Sequence, residues 1–169
     1  TNISDGVMLT GSHNPKNYNG LKIVINKKSM TGEKIKNIKL MIEEESFMDG
    51  LGELTSLDVK DDYLKELKQK ININSKIKVC LDCGNGIGGV IAPQAFKLLG
   101  LDVVELYSEV DGNFPNHHPD PSNPKNLKDL QKKVLETNSD LGIALDGDGD
   151  RVGLIDNKGN IIFPDTYMM

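Results

Sequence analysis

Three aspartates at alternate positions, Asp146, Asp148 and Asp150, stand in the run DGDGDR directly after the apolar segment LGIAL. The glycines between them leave the backbone free to turn all three carboxylates toward one point. Carboxylates gathered in this way repel one another unless a cation sits among them. A hard divalent ion bound through oxygen is the chemistry that relieves the repulsion. An EF-hand calcium loop is excluded, because it needs glycine at its sixth position and glutamate at its twelfth, where this chain has Arg151 and Asn157. Few ligands followed by an arginine suit Mg²⁺ beside a phosphate, with positions left for substrate oxygens. The bland alternative is a solvated acidic turn.

A second candidate is Ser12, in LTGSHNPKNYNGLK, with Gly11 before it and Pro15 after it. It is not set in G-x-S-x-G, so an esterase elbow is unsupported. His13 is not assumed to be its base, because neighbours on an extended loop point apart. A serine can instead carry a phosphoryl group, neutralised by a metal and by cations such as Lys22 and Arg151. The alternative is an ordinary turn serine. The run GNGIGG, residues 84 to 89, follows a strand and opens a helix, with Glu105 further on. It reads either as a dinucleotide fingerprint or as a tight turn that needs small residues. His117 and His118, in NHHPDP, are adjacent and lack a partner set, which makes them loop-structural or peripheral. Cys80 and Cys83 point to opposite faces of a strand, and no second pair completes a zinc site. They read as buried free thiols, suited to a reducing cytosol.

The elements that must position these groups follow from periodicity. Gly6–Thr10 and Leu21–Ile25 read as buried strands. Ile35, Ile38 and Ile42 mark a helix that Thr31 caps. SFMDGLGEL breaks the pattern and is the expected domain boundary. Leu64, Leu67 and Ile71 mark a second helix with Asp58 as its N-cap. After it, strand (IKVCLD), helix (VIAPQAFKLLG, stopped by Gly100) and strand (DVVELY) alternate. A long polar loop leads to a helix over Lys125–Glu136, with Asn123 as cap, Pro124 at its first position and Leu127, Leu130 and Val134 as its stripe. LGIAL is the next strand, and RVGLID, NKG and NIIF form a hairpin. The alternation predicts a layered α/β fold with parallel strands, made mixed by the hairpin. Ligands then bind where the strands end, at the three loops named above.

The 169 residues suit one domain or parts of two. A net charge of −5 and the absence of a basic cluster argue against a nucleic-acid partner. No apolar run approaches a membrane span. The chain has no initiating Met, and FPDTYMM reads as the opening of a helix, so a piece of a longer protein is expected.

Taken together and in order, TGSHNP, NGLK, DCGNG, DGNFPNHHPDP and DGDGDR resemble the α-D-phosphohexomutase superfamily, in its bacterial phosphomannomutase/phosphoglucomutase branch. The resemblance covers essentially the whole chain. It implies three-layer α/β/α domains with mixed sheets: residues 1–55 ending a first domain, 56–159 a complete second domain and 160–169 the start of a third. It implies that Ser12 is the phosphoserine, exposed on its loop and flanked by His13. Mg²⁺ would be held by Asp146, Asp148, Asp150 and a phosphoserine oxygen at Ser12. Lys22 and Arg151 would lie at the active centre, Lys22 in proton transfer or charge stabilisation. The implied reaction interconverts hexose 1-phosphate and hexose 6-phosphate in the cytoplasm through a bisphosphorylated sugar. Glucose 1,6-bisphosphate, or its mannose analogue, would be the activator. The sugar-reading and phosphate-binding loops of the third and fourth domains are absent here, so this stretch alone is expected to be inactive. Two rivals stay open: an aspartyl-phosphate phosphatase of the haloacid-dehalogenase kind with Asp146 as nucleophile, and a non-catalytic module that binds Mg²⁺ or sugar phosphate.

Overall fold

A computed structural model describes residues 3–169; positions 1 and 2 of the expected first domain lie outside the described residues. The chain divides into two compact units. The first joins the residues up to Thr10 with Asn19–Asp58, and the second joins Gly11–Tyr18 with Val59–Met169.

In the first unit, β1 (Gly6–Leu9), β2 (Leu21–Ile25) and β3 (Lys28–Ser29) form an antiparallel sheet in that order. Gly6 pairs with Val24 and Leu9 with Leu21. The β2–β3 turn places Asn26 and Lys27 at φ 51° and 61°, the left-handed pair that a tight two-residue hairpin requires. Asp5 Oδ1 accepts the Asn26 N–H at 2.6 Å and helps hold that strained turn. α1 (Glu33–Glu43) follows. Its N-cap is Gly32, which offers no side-chain acceptor, so Thr31 does not cap it. The expected buried strands are largely exposed: Val7 is 63% exposed and Leu9 66%, and in β2 only Ile23 and Val24 are half-buried. The reason is geometric, since three short strands and one helix with no buried residue give the sheet only partial cover of its own. Residues 46–59 hold no regular element.

The second unit begins with α2 (Lys60–Lys70), whose N-cap is Val59 rather than Asp58. β4 (Lys78–Asp82) leads through a 3₁₀ turn (Ile87–Val90) into α3 (Ala92–Leu98), then β5 (Asp102–Leu106). Pro124–Leu127 forms another 3₁₀ turn before α4 (Lys128–Thr137). The expected helix over Lys125–Glu136 therefore starts as a tighter turn, with Asn123 Oδ1 accepting the Lys125 N–H as predicted. β6 (Leu141–Leu145), β7 (Val152–Asp156), β8 (Ile161–Ile162) and α5 (Pro164–Tyr167) complete the chain.

The sheet order is β5-β4-β6-β7-β8. β4 runs parallel to both β5 and β6, and β7 and β8 return antiparallel, which gives the mixed sheet that the hairpin predicts. Alternating side chains feed two cores. Cys80, Ala144 and Ile155 pack with Leu127, Leu130 and Val134 from the α4 side. Leu81 and Cys83 pack with Ala92 and Phe96 from the α3 side. The unit is thus an α/β/α sandwich, and both cysteines are buried free thiols, one in each core. Among the described residues no helix is long and apolar enough to cross a membrane.

Candidate active site

β6 delivers Asp146 fully buried at the carboxyl end of the sheet. Asp146 Oδ1 accepts the N–H groups of Asp150 at 3.0 Å and Arg151 at 3.1 Å. These bonds curl the loop back on its own start. The carboxylates of Asp146, Asp148 and Asp150 consequently converge, each offering an oxygen within 4.8 Å of the others. Burial, followed by repulsion from Asp148 and Asp150, holds the Asp146 carboxyl above the usual carboxylate range, against the pull of the Arg151 and Asp150 N–H groups. Asp146 Oδ2 is buried and accepts no hydrogen bond; Arg151 Nε lies 3.8 Å from it. A buried, unbonded carboxylate oxygen facing two more carboxylates is a donor set that fits a small, hard cation.

The Ser12 loop lies against this acidic loop within the same unit. A Cβ on Gly147 would sit 2.3 Å from the Ser12 carbonyl oxygen, so only glycine permits the approach. Two short turns, Asn14 N–H to Gly11 O at 3.0 Å and Tyr18 N–H to Pro15 O at 2.9 Å, shape the loop. Ser12 itself is half-buried rather than exposed, at φ 52°. That left-handed turn brings neighbouring side chains together: Ser12 Oγ lies 3.2 Å from His13 Nδ1. The expectation that the two point apart assumed an extended loop and is corrected here.

The glycine run packs beside the same loop. Ile87 N–H donates to Gly147 O at 3.0 Å, and a Cβ on Gly86 would come 2.7 Å from that oxygen. These glycines serve backbone packing, as the tight-turn reading holds. Arg151 is half-exposed and lies 3.9 Å from Asp150 Oδ1 as well. Lys22 belongs to the first unit, on β2, opposite Met8. The structure thus brings together Ser12, His13, Asp146, Asp148, Asp150 and Arg151 in one unit, and leaves Lys22 in the other.

Sequence reasoning passed over Asp82. It ends β4, is fully buried, and pairs with His117 Nε2 at 2.9 Å. The available signal was a carboxylate directly after the apolar run Val79–Leu81.

Phosphoglucomutase/phosphomannomutase alpha/beta/alpha domain I is matched by residues 1–49, and domain II of the same family by residues 61–159. The chain is 52% identical over 164 residues to a phosphomannomutase/phosphoglucomutase of Pseudomonas aeruginosa, covering 97% of this chain and 35% of that protein. It is 43% identical over 166 residues to a phosphoglucomutase of Neisseria meningitidis, covering 97% of this chain and 36% of the relative. A crystal structure of a phosphoglucomutase/phosphomannomutase family protein from Burkholderia thailandensis superposes with a TM-score of 0.92 at 41% identity, covering 96% of this chain and 36% of that one. The chain spans about a third of the length of the curated relatives it matches.

Proposed function

Because this chain belongs to the phosphoglucomutase/phosphomannomutase family, we propose that the protein it forms part of interconverts hexose 1-phosphate and hexose 6-phosphate through a phosphoserine at Ser12. In this reading residues 1–55 end a first domain, 56–159 make the second and 160–169 open a third. The remaining domains lie outside the chain, so it does not turn over alone, and the enzyme works in the cytoplasm.

The observation that carries the proposal is the seating of the Ser12 carbonyl against Gly147, in the middle of the acidic loop. Two features that lie far apart in sequence are held together at backbone distance. Asp146, Asp148 and Asp150, with an oxygen of phosphorylated Ser12, would hold Mg²⁺. Bound there, the ion neutralises charge on the phosphoryl group.

This chain's residues do the rest. A sugar hydroxyl attacks the phosphorus on Ser12, a new O–P bond forms as the P–Oγ bond breaks, and the proton that the hydroxyl gives up is matched by one taken up at Oγ. His13 Nδ1, beside Oγ, holds it. Arg151 stabilises charge on the transferring group. Glucose 1,6-bisphosphate, or its mannose analogue, charges Ser12 when the enzyme is unphosphorylated. The aspartyl rival fits less well, since Asp146 is fully buried and its Oδ1 already accepts two N–H groups.

The test is phosphosite mapping after incubation with glucose 1,6-bisphosphate and Mg²⁺. An acid-stable phosphate on Ser12, lost in Ser12→Ala, is expected. A hydroxylamine-labile phosphate on Asp146 would overturn the proposal in favour of an aspartyl phosphatase.

A further inference from the structure

A carboxylate buried as fully as Asp82 is tolerated only when it is paired and hydrogen-bonded. Its Oδ1 accepts the Gly84 N–H at 2.9 Å, and its Oδ2 lies 2.9 Å from His117 Nε2. On the other side of the ring, His117 Nδ1 lies 3.0 Å from the His118 carbonyl oxygen. Both ring nitrogens therefore face acceptors, a carboxylate and a carbonyl, and each needs its own proton to satisfy them. His117 is the imidazolium of an enclosed ion pair, its side chain 13% exposed.

This pair anchors residues 108–123, a stretch with no strand or α-helix. A long irregular segment inside a compact unit calls for a function. Its neighbours indicate one. The His118 ring meets the His13 ring edge-on at 6.3 Å, and His13 Nδ1 lies 3.2 Å from Ser12 Oγ. Asn113 Oδ1 accepts from Lys16 Nζ at 2.7 Å, a second tie to the Ser12 loop. Asn116 Nδ2 donates to Asn85 Oδ1 at 2.8 Å, a tie to the glycine turn. Ser12 needs such support, because a non-glycine residue at positive φ is strained and persists only when its surroundings hold it.

We propose that Asp82 and His117 are positioning residues for the phosphoryl transfer: their buried pair pins the 108–123 segment so that His118 braces His13, and His13 sets the direction of Ser12 Oγ. This rests on the phosphoserine reading above. Neither residue touches the reacting atoms. Both act through the two histidine rings.

The test uses the full-length enzyme with hexose phosphate, glucose 1,6-bisphosphate and Mg²⁺, in wild type, His117→Gln, His118→Ala and the double variant. In each single variant kcat falls on the order of tenfold, as misplacement of a reacting group does, while KM stays unchanged. The double variant falls no further than the weaker single one, because both residues act along one route. Asp82→Asn keeps the acceptor for Gly84 N–H and offers an amide donor to a neutral His117, so it retains more activity than Asp82→Ala. Multiplying losses in the double variant would overturn the proposal, as would full kcat in the singles. If the Asp82 variants fail to fold, His118→Ala still decides, since it removes no buried charge. A wild type that takes no phosphate on Ser12 sinks the phosphoserine reading and this one with it. A phosphorylated wild type alongside fully active variants overturns the positioning pair alone.

Discussion

Strands β1 and β4 carry similar apolar runs and meet opposite fates. In β1, Val7, Met8 and Leu9 are all exposed; in β4, Val79, Cys80 and Leu81 are all buried. β4 lies at the centre of its sheet, paired on both edges by parallel neighbours, with α3 and α4 covering its two faces. Such a strand is apolar on both sides because it has no solvent face. β1 pairs only with β2 among the described residues, and α1 buries no side chain. An apolar strand announces that it needs a cover. It does not say which part of the molecule supplies it.

The contrast can be broken most directly by truncation. In this chain, Leu130→Ala removes a fully buried side chain of α4 and is expected to cost about 2–5 kcal/mol. Val7→Ala should cost less than about 0.5 kcal/mol, as exposed substitutions do. Urea midpoints of the two variants test it, and equal losses would erase the distinction between the units. Gly142→Ala should fall between them at about 1–3 kcal/mol by overpacking. Its new Cβ would meet Val134 Cγ2 at 2.7 Å and Ile155 Cβ at 3.0 Å.

A metal sharpens the contrast next. Mg²⁺ at ten times its Kd should stabilise the second unit by about 1.4 kcal/mol through mass action and leave the first unmoved. Calorimetry with and without the ion, and with Asp148→Asn, reads this directly. A shift that survives Asp148→Asn would place the ion elsewhere.

A smaller effect follows pH. Burial alone would lower the His117 value, but the hydrogen bond and charge of Asp82, with the His118 carbonyl, outweigh it and hold the value above 6.5. The folded state therefore binds this proton more tightly than the unfolded chain does. The stabilisation is complete below pH 6.5 and is lost as pH rises through the folded value. Melting temperatures of the second unit should decline across that window, and the decline should flatten in Asp82→Asn.

The smallest expected signal is chemical. Burial pushes both Cys80 and Cys83 up to about 11. Neither should react with a maleimide at neutral pH until the second unit unfolds. Labelling at the native rate of a free thiol would contradict the enclosed core.

Local chemistry made much of the second unit legible. Leu127, Leu130 and Val134 are a helical stripe and all three are buried. Asn123 caps where it was expected to. The convergence of the three aspartates was readable because glycines at alternate positions leave a loop few other uses. The missed caps, Gly32 for Thr31 and Val59 for Asp58, show the limit of that reading. A capping side chain is a local option, and the path of the incoming chain decides whether it is taken.

Residue pattern alone was enough for the alternation of strand and helix, the closing hairpin, the two enclosed thiols and the acidic loop, because each depends on residues close in the chain. The tertiary structure alone decided that Ser12 turns its hydroxyl toward His13, that its carbonyl rests on Gly147, and that Asp82 meets His117. Each of the last two joins residues tens of positions apart, and the first depends on a positive φ at Ser12 that residue type does not announce. Such contacts arise only when the folded chain sets loops from distant parts of the sequence side by side.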